Sequence, residues 1–112
     1  MRFYFIVLMK FLPPPFSAFT VFPFIFLKDA SHKHNSALIN HEKIHLRQQI
    51  EMFWLPFFIW YAVEFIIKLI RYRQWMKAYH AVGFEREAYR YEHDTEYLKR
   101  RKPFAFLEFL GW

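Results

Sequence analysis

Glycine is scarce in this chain, and its scarcity is the feature that most limits the available folds. The 112 residues include two glycines, at positions 83 and 111. Glycine adopts positive φ angles at little cost, so tight hairpins and the glycine-rich loops that bind phosphate normally contain it. The sequence therefore disfavours nucleotide-binding folds and sheets built from many hairpins, whereas a helical scaffold needs few glycines.

A single domain is expected, because 112 residues supply one modest hydrophobic core. The chain also contains no cysteine. This excludes disulfides, thiolate zinc sites and cysteine nucleophiles, so a metal ion would have to bind to His, Asp or Glu. We therefore interpret residues 1–112 as one domain whose chemistry depends on histidines and carboxylates.

The chain is both basic and rich in aromatic residues. Its formal net charge is +6, and 24% of its residues are aromatic. A basic surface favours nucleic acid, anionic lipid or an acidic partner, but Trp and Tyr flanked by Lys and Arg are typical of a membrane interface. We therefore expect membrane lipid as a partner and no nucleic acid. The small core cannot hold so many aromatic side chains, so a homo-oligomer is a further expectation.

The hydrophobic pattern predicts a mainly α-helical protein with a short β edge strand. The segment 22–27 is rich in strand formers, and Pro23 within it confines the segment to the edge of a sheet. Asn35 or Ser36 can cap a helix by accepting backbone N–H bonds. We expect this helix to extend from Ser36 to Glu51.

The second half of the chain predicts further helices. One is apolar and either kinked or initiated at Pro56. Gly83 suits a helix C-cap, and another helix is expected over 84–101, which Pro103 ends. The apolar tail 104–112 is expected to dock on the body of the protein or on a membrane.

The uncharged apolar run over residues 52–63 has two interpretations. It is too short to cross a bilayer, which takes about 20 apolar residues, and Glu64 follows it directly. One interpretation is a buried core helix. The other is a helix partly embedded in the membrane interface, with Arg71, Arg73 and Lys77 at the level of the lipid headgroups.

The apolar residues 3–9 at the N-terminus make a poor signal peptide. Lys10 interrupts the run, and Pro13–Pro15 occupies the place where small residues would form a cleavage site. We expect this segment to be retained. The three prolines predict a stiff, extended connector.

The H-E-x-x-H pattern at residues 41–45 carries the chemistry. His41 and His45 lie four residues apart on a predicted helix, so both imidazoles project from one side, one turn apart. That spacing suits zinc, and Glu42 beside the first ligand can act as general base toward a metal-activated water. The alternative interpretation is a solvated helix face that only keeps an apolar protein soluble.

A catalytic zinc usually takes a third protein ligand, here a carboxylate or another histidine. The sequence Phe-Glu-Arg-Glu-Ala-Tyr at 84–89, with the H-E-x-x-H pattern, resembles the gluzincin metallopeptidases, whose third ligand is a glutamate in a later E-x-x-A-D or E-x-x-S-D motif. Aligned on Ala88, the resemblance implies Glu85 as zinc ligand, with Tyr89 in place of the family's acidic residue. That acid orients a zinc-bound histidine, so Tyr89 or Glu92 would have to do so here.

The resemblance extends to small bacterial membrane-associated proteins that share H-E-x-x-H-x-x-Q-Q and F-E-x-E-A-Y patterns, and it implies no substrate. Glu87 remains a rival to Glu85, because on a helical wheel it lies closer to the centre of the apolar face. An arginine-paired surface acid is the alternative for either glutamate. Candidate donors to a reacting oxyanion are His80, Tyr89 and Tyr91, each of which has a plain surface or core interpretation.

Together, the motif and the resemblance imply a zinc-dependent peptidase. Zn²⁺ would be held by His41, His45 and Glu85, and Glu42 would act as general base, on a minimal core of motif helix, apolar helix and glutamate helix. The expected substrate is an extended peptide or protein bound along the edge strand. The expected location is a bacterial membrane. The alternative is a non-enzymatic membrane-associated or oligomerising helical protein with a structural or vestigial metal site.

Overall fold

A computed structural model describes residues 4–12 and 17–110 of the chain. The described part is mainly helical with one small sheet, which confirms the predicted fold class. Two short 3-10 helices, Ala30–His34 and Ala105–Phe109, accompany the main elements. The main elements, in chain order, are β1 (Phe5–Leu8), β2 (Ala18–Val21), β3 (Phe24–Leu27), α1 (Ser36–Glu51), α2 (Leu55–Tyr72), α3 (Trp75–Ala81), α4 (Gly83–Tyr91) and α5 (Tyr97–Arg100).

The sheet corrects the predicted edge strand. Its strand order is β1-β3-β2, with β1 parallel and β2 antiparallel to β3. The predicted strand over 22–27 therefore supplies the central strand β3, and Pro23 lies in the turn that precedes it. The prediction was wrong because residues 5–8, read as part of a signal-like run, form β1 and pair with β3. The edge strand beside the motif helix is β2.

The motif helix α1 has the predicted bounds. Asn35 is its cap, and its side-chain oxygen accepts the N–H of Leu38 at 3.1 Å. Gln49, near the C-terminal end of α1, connects the helix to the sheet through two hydrogen bonds. Its Nε2 donates to the carbonyl of Thr20 at 2.8 Å, and its Oε1 accepts the N–H of Phe22 at 2.6 Å. The edge strand β2 is thereby held against the helix that carries the motif.

The turn between α1 and α2 uses positive φ angles without glycine. Phe53 and Trp54 have φ values of 56° and 68°, a left-handed conformation that bulky residues adopt at a cost. Arg73 and Phe104 also have positive φ. The scarcity of glycine thus does not prevent left-handed turns in this chain. Of the two predicted roles for Pro56, the structure shows initiation, because Pro56 lies in the first turn of α2.

Gly83 is not the predicted C-cap. It is the first residue of α4, and no described glycine has a positive φ. Its small size matters for a close approach, because a Cβ there would lie 2.7 Å from Leu110 Cδ2 and 3.5 Å from Glu64 Oε1. Its N–H donates to Glu64 Oε2 at 2.9 Å. Glycine is therefore favoured here because a side chain would collide with the neighbouring segment, and not because the backbone adopts a positive φ angle.

The helix predicted over 84–101 is two helices, α4 and α5. Asn40 on α1 explains the interruption. Its Nδ2 lies 3.0, 3.0 and 2.9 Å from the carbonyl oxygens of Tyr91, Glu92 and Asp94. The carbonyls of Tyr91 and Asp94 accept backbone N–H groups three residues later, in tight turns, and the buried Asn40 amide supplies further hydrogen bonds at this break.

Within the part of the chain that the structure describes, the core is divided between three clusters. One lies between α2, α4 and the tail and is centred on Phe84 and Phe106. A second lies between the sheet and α1, and the third lies between α1, α4 and α5. Phe106, 1% exposed, confirms that the tail docks on the body over residues 104–110. The predicted proline connector, Pro13–Pro15, and residues 111–112 lie outside the described residues.

Within the described residues, no single helix combines the length and apolar character needed to cross a membrane. Helices α1 and α2 are bent by 112° at the break between them. Taken together they match a membrane-crossing segment by length and composition only.

Candidate metal centre

His41, His45 and Glu85 converge at the contact between α1 and α4, and we call them the triad. The Nε2 atoms of His41 and His45 lie 3.1 and 3.0 Å from Glu85 Oε1. The three ligand atoms lie within 4.8 Å of one another, and all three residues are buried. The structure therefore brings together the three predicted ligands from sequence positions forty residues apart.

The charges of the triad are strongly coupled. Burial opposes the charged form of His45, but Glu85 beside it outweighs this effect and raises the pKa of His45 to about 9. Burial likewise opposes the charged form of Glu85, yet the two histidines hold the pKa of its carboxyl well below its usual range. The carboxylate is therefore maintained in its ionised form, which is the form that binds metal.

Each residue of the triad is also hydrogen-bonded to a side chain outside the triad. His41 Nδ1 lies 2.8 Å from Glu92 Oε1, and His45 Nδ1 lies 2.8 Å from Gln48 Oε1. These partner atoms accept hydrogen bonds, so each Nδ1 donates to its partner and each Nε2 is directed at the centre, where a metal ion would displace any proton on it. Tyr61 donates its hydroxyl to Glu85 Oε2 at 2.7 Å, which leaves Oε1 directed at the histidines.

This arrangement fits a metal ion. Two imidazole nitrogens and a carboxylate oxygen, each fixed by a second hydrogen bond, are the donor set that divalent transition metals bind in proteins. The buried group formed by the triad could hold a metal ion. Of the two groups considered for orienting His41, the structure assigns Glu92, while the Tyr89 ring packs edge-on against His41 at 4.5 Å.

Glu87, the rival third ligand, belongs to a different cluster. It is fully buried, as its place on the helical wheel indicates, but it faces Arg101. Glu87 Oε2 also accepts the hydroxyl of Tyr97 at 2.7 Å, and Oε1 accepts Nε2 of Gln48 at 2.9 Å. Its carboxylate is thus occupied by an arginine and two polar groups, and it does not join the triad.

Glu42, the predicted general base, is buried beside the triad and is held by the edge strand. Thr20 on β2 donates its hydroxyl to Glu42 Oε1 at 2.6 Å. Glu42 also lines two cavities, of about 300 and 330 Å³, which have Ala18 and Tyr79 in common as well. The two cavities therefore meet beside Glu42 and Ala18 of β2.

The first cavity is apolar and adjoins the triad. His45, Glu85 and Glu42 form its polar wall. Burial, followed by the charge of Glu85, raises the pKa of the Tyr61 and Tyr79 hydroxyls, so both remain protonated donors at this wall. Much of the remaining lining is aromatic and comes from β2, α2 and α3: Phe19, Phe57, Phe58, Phe65 and Trp75.

The three candidate oxyanion donors occupy different places. Tyr89 lines the second cavity together with His41 and Glu42. His80 is exposed and packs against the Tyr89 ring, with the two ring centroids 4.6 Å apart. Tyr91 is stacked on Tyr97 at 3.8 Å in the third core cluster. Of the three, only Tyr89 adjoins Glu42.

Sequence reasoning missed several residues of this site. Gln48 had a usable signal, because it lies three residues after His45 and so one turn along the same helix face. Thr20, Tyr61 and Tyr79 had none, since they come from a strand and from helices whose packing on α1 the local sequence does not specify.

Comparisons with protein-family models, with curated proteins and with solved structures found no match to this chain.

Proposed function

We propose that this protein is a zinc-dependent peptidase. The observation that carries the proposal is the position of Glu42, a buried carboxylate adjacent to a His–His–Glu triad and hydrogen-bonded to an edge strand at 2.6 Å. A metal site with only a structural role needs neither an additional carboxylate at its side nor a cleft beside it. The resemblance to gluzincin metallopeptidases supports the same activity.

Zinc is the metal we propose for the triad, because two imidazoles and one carboxylate leave a fourth position open, as in catalytic zinc sites. When bound, zinc would supply Lewis acidity, which lowers the pKa of water and polarises a carbonyl group. His41, His45 and Glu85 would hold it. Glu92, Gln48 and Tyr61 would fix the orientation of these three side chains.

The remaining chemistry belongs to the side chains of this chain. Glu42 would accept a proton from the attacking water while the water oxygen bonds to the peptide carbonyl carbon. As the C–N bond breaks, Glu42 would transfer this proton to the departing nitrogen. The protonated hydroxyls of Tyr79 and Tyr89 are hydrogen-bonded to each other and line the same cleft, and the Tyr89 hydroxyl would donate to the carbonyl oxygen.

The substrate would be an extended peptide. β2 is an edge strand of the sheet and lines both cavities through Ala18; Gln49 occupies the carbonyl of Thr20, so a peptide would pair with the part of the edge around Ala18 and pass beside Glu42. The aromatic cavity of about 300 Å³ would receive a large apolar side chain next to the cleaved bond.

Hydrolysis of fluorescence-quenched peptides that carry a large apolar residue at varied positions tests the proposal. Zinc-loaded protein should cleave them, and Glu42→Gln should keep its zinc and lose about 10²- to 10⁴-fold in rate, the usual contribution of a general base. Glu108→Gln, on the exposed side of the tail, is the matched control. Full activity in Glu42→Gln would refute the mechanism. Stoichiometric zinc with no hydrolysis would support the alternative, a structural metal site.

A further inference from the structure

Helix α2 turns charged residues toward the interior and aliphatic residues outward, the opposite of what is usual for a helix on a water-exposed surface. Its two charged residues before Arg71, Glu64 and Lys68, are 4% and 1% exposed. Its outward face is aliphatic, and the six residues of this face are 45–70% exposed. We call them the aliphatic stripe: Leu55, Ile59, Val63, Ile66, Ile67 and Ile70.

The inward direction of the charges is fixed by specific contacts. Glu64 Oε2 accepts the N–H of Gly83 at 2.9 Å and lies 3.9 Å from Lys68 Nζ. At Gly83 in turn, a Cβ atom would collide with the side chain of Leu110, so only glycine fits without a shift of Leu110. Rotation of α2 to expose its charges would break the hydrogen bond between Glu64 and Gly83 on α4, so the aliphatic stripe faces outward as a consequence of the fold.

Soluble helices place apolar residues inward and charged residues outward, and a contiguous apolar patch on the outside marks a site of interaction. The aromatic cavity beside the triad uses other residues of α2, namely Phe57, Phe58, Tyr61 and Phe65. The aliphatic stripe is therefore a second surface, separate from the candidate cleft.

The charges at the end of the aliphatic stripe indicate what covers it. Arg71, Arg73 and Lys77 are exposed just beyond its C-terminal end. The sequence between Glu64 and Glu85 contains no acidic residue. A second copy docked through the same surface would bring no carboxylate from this region to the three cations, whereas anionic lipid headgroups would complement them.

We propose that the aliphatic stripe binds the surface of an anionic lipid bilayer. The stripe lies in the boundary between headgroups and acyl chains, and Arg71, Arg73 and Lys77 contact the headgroups. Trp54 and Trp75, both exposed, flank the stripe at the depth that tryptophan favours. This binding is independent of the metal centre and of any peptidase activity.

Co-sedimentation of the full chain with phosphatidylcholine vesicles, with and without phosphatidylglycerol, tests the proposal. The wild-type protein should bind the anionic vesicles and much less of it should bind neutral ones. The triple variant Arg71→Gln/Arg73→Gln/Lys77→Gln should lose about 100-fold in affinity for anionic vesicles, because each cation near the surface contributes by electrostatic attraction. Lys33→Gln/Lys99→Gln/Lys102→Gln removes the same charge from other exposed positions and should lose far less.

A second variant tests the apolar part. Ile59→Gln/Ile66→Gln/Ile70→Gln should reduce vesicle binding at least about 10-fold, since it removes aliphatic surface from the contact. Leu107→Gln, also exposed, is its control. Circular dichroism before sedimentation establishes that each variant is folded. Equal vesicle binding by stripe variant and wild type would overturn the proposal. So would a wild-type dimer that the stripe variant converts to monomer without any lipid binding.

Discussion

At the scale of single residues, the hydroxyl of Thr20 is a positioning group for Glu42. It donates to Glu42 Oε1 at 2.6 Å, and its own strand is tied to α1 by Gln49. In Thr20→Val the carboxylate loses this donor while the volume of the side chain is conserved. We expect kcat to fall about 10-fold, the effect of losing one hydrogen bond to a charged group, with KM and zinc content nearly unchanged.

Thr20→Ser restores the hydroxyl and should restore most of kcat, which a purely structural effect of the β-branched methyl would not explain. An unchanged kcat in Thr20→Val would show that Glu42 is oriented without the strand.

Gln48 is the residue that fixes His45. Its Oε1 accepts from His45 Nδ1, and its Nε2 donates to the carbonyl of Phe84 at 3.1 Å. Gln48→Leu retains the shape but removes the acceptor, so His45 loses its preferred orientation and tautomer. We expect zinc affinity, measured by competition with a chromophoric chelator, to fall about 10- to 100-fold. Gln74→Leu on the exposed surface is the control, and equal zinc affinity in Gln48→Leu would contradict this role.

At the scale of elements, a buried ion cluster connects α4, α5 and α1. Arg101 donates to both oxygens of Glu87, and its Nη1 donates to Glu51 Oε2 at 2.7 Å. Glu51 Oε2 also accepts the N–H of Phe104 at 3.0 Å, at the start of the tail. The cluster therefore fixes the tail segment against the helix pair that carries the triad.

Glu87→Ala would leave Arg101 buried with half of its partners gone. We expect the free energy of unfolding to fall by about 3–5 kcal/mol, the usual cost of removing one partner from a buried ion pair. Chemical denaturation measures this loss. Under conditions where the variant is folded, it should still bind zinc with the stoichiometry of the wild type. Loss of zinc from folded Glu87→Ala would instead indicate that Glu87 is a metal ligand.

The elements also show what sequence can and cannot predict. The bounds of α1 were predictable because the cap at Asn35 and the motif are local. The position of β3 was not, because it depends on β1 pairing from some 20 residues earlier in the chain. The helical wheel correctly indicated that Glu87 is buried. Only the tertiary position of Arg101 shows that the buried carboxylate forms an ion pair and is not a metal ligand.

At the scale of the whole molecule, the surplus of aromatic and aliphatic residues is distributed over three places. Some of it fills the three core clusters, and some lines the cavity beside the triad. A third part, among the residues that the structure describes, is exposed and includes the aliphatic stripe of α2. Composition predicted the excess of apolar residues, but their division between cavity and surface depends on how α2 is rotated against Gly83.

The zinc content of the purified protein, measured by elemental analysis after dialysis against dilute zinc, tests the central claim most directly. One zinc per chain is expected for the wild type and for Glu108→Gln, and much less than one for His45→Ala and Glu85→Ala, because each removes a member of the triad. Absence of zinc from the wild type, or one zinc per chain in both triad variants, would contradict the account.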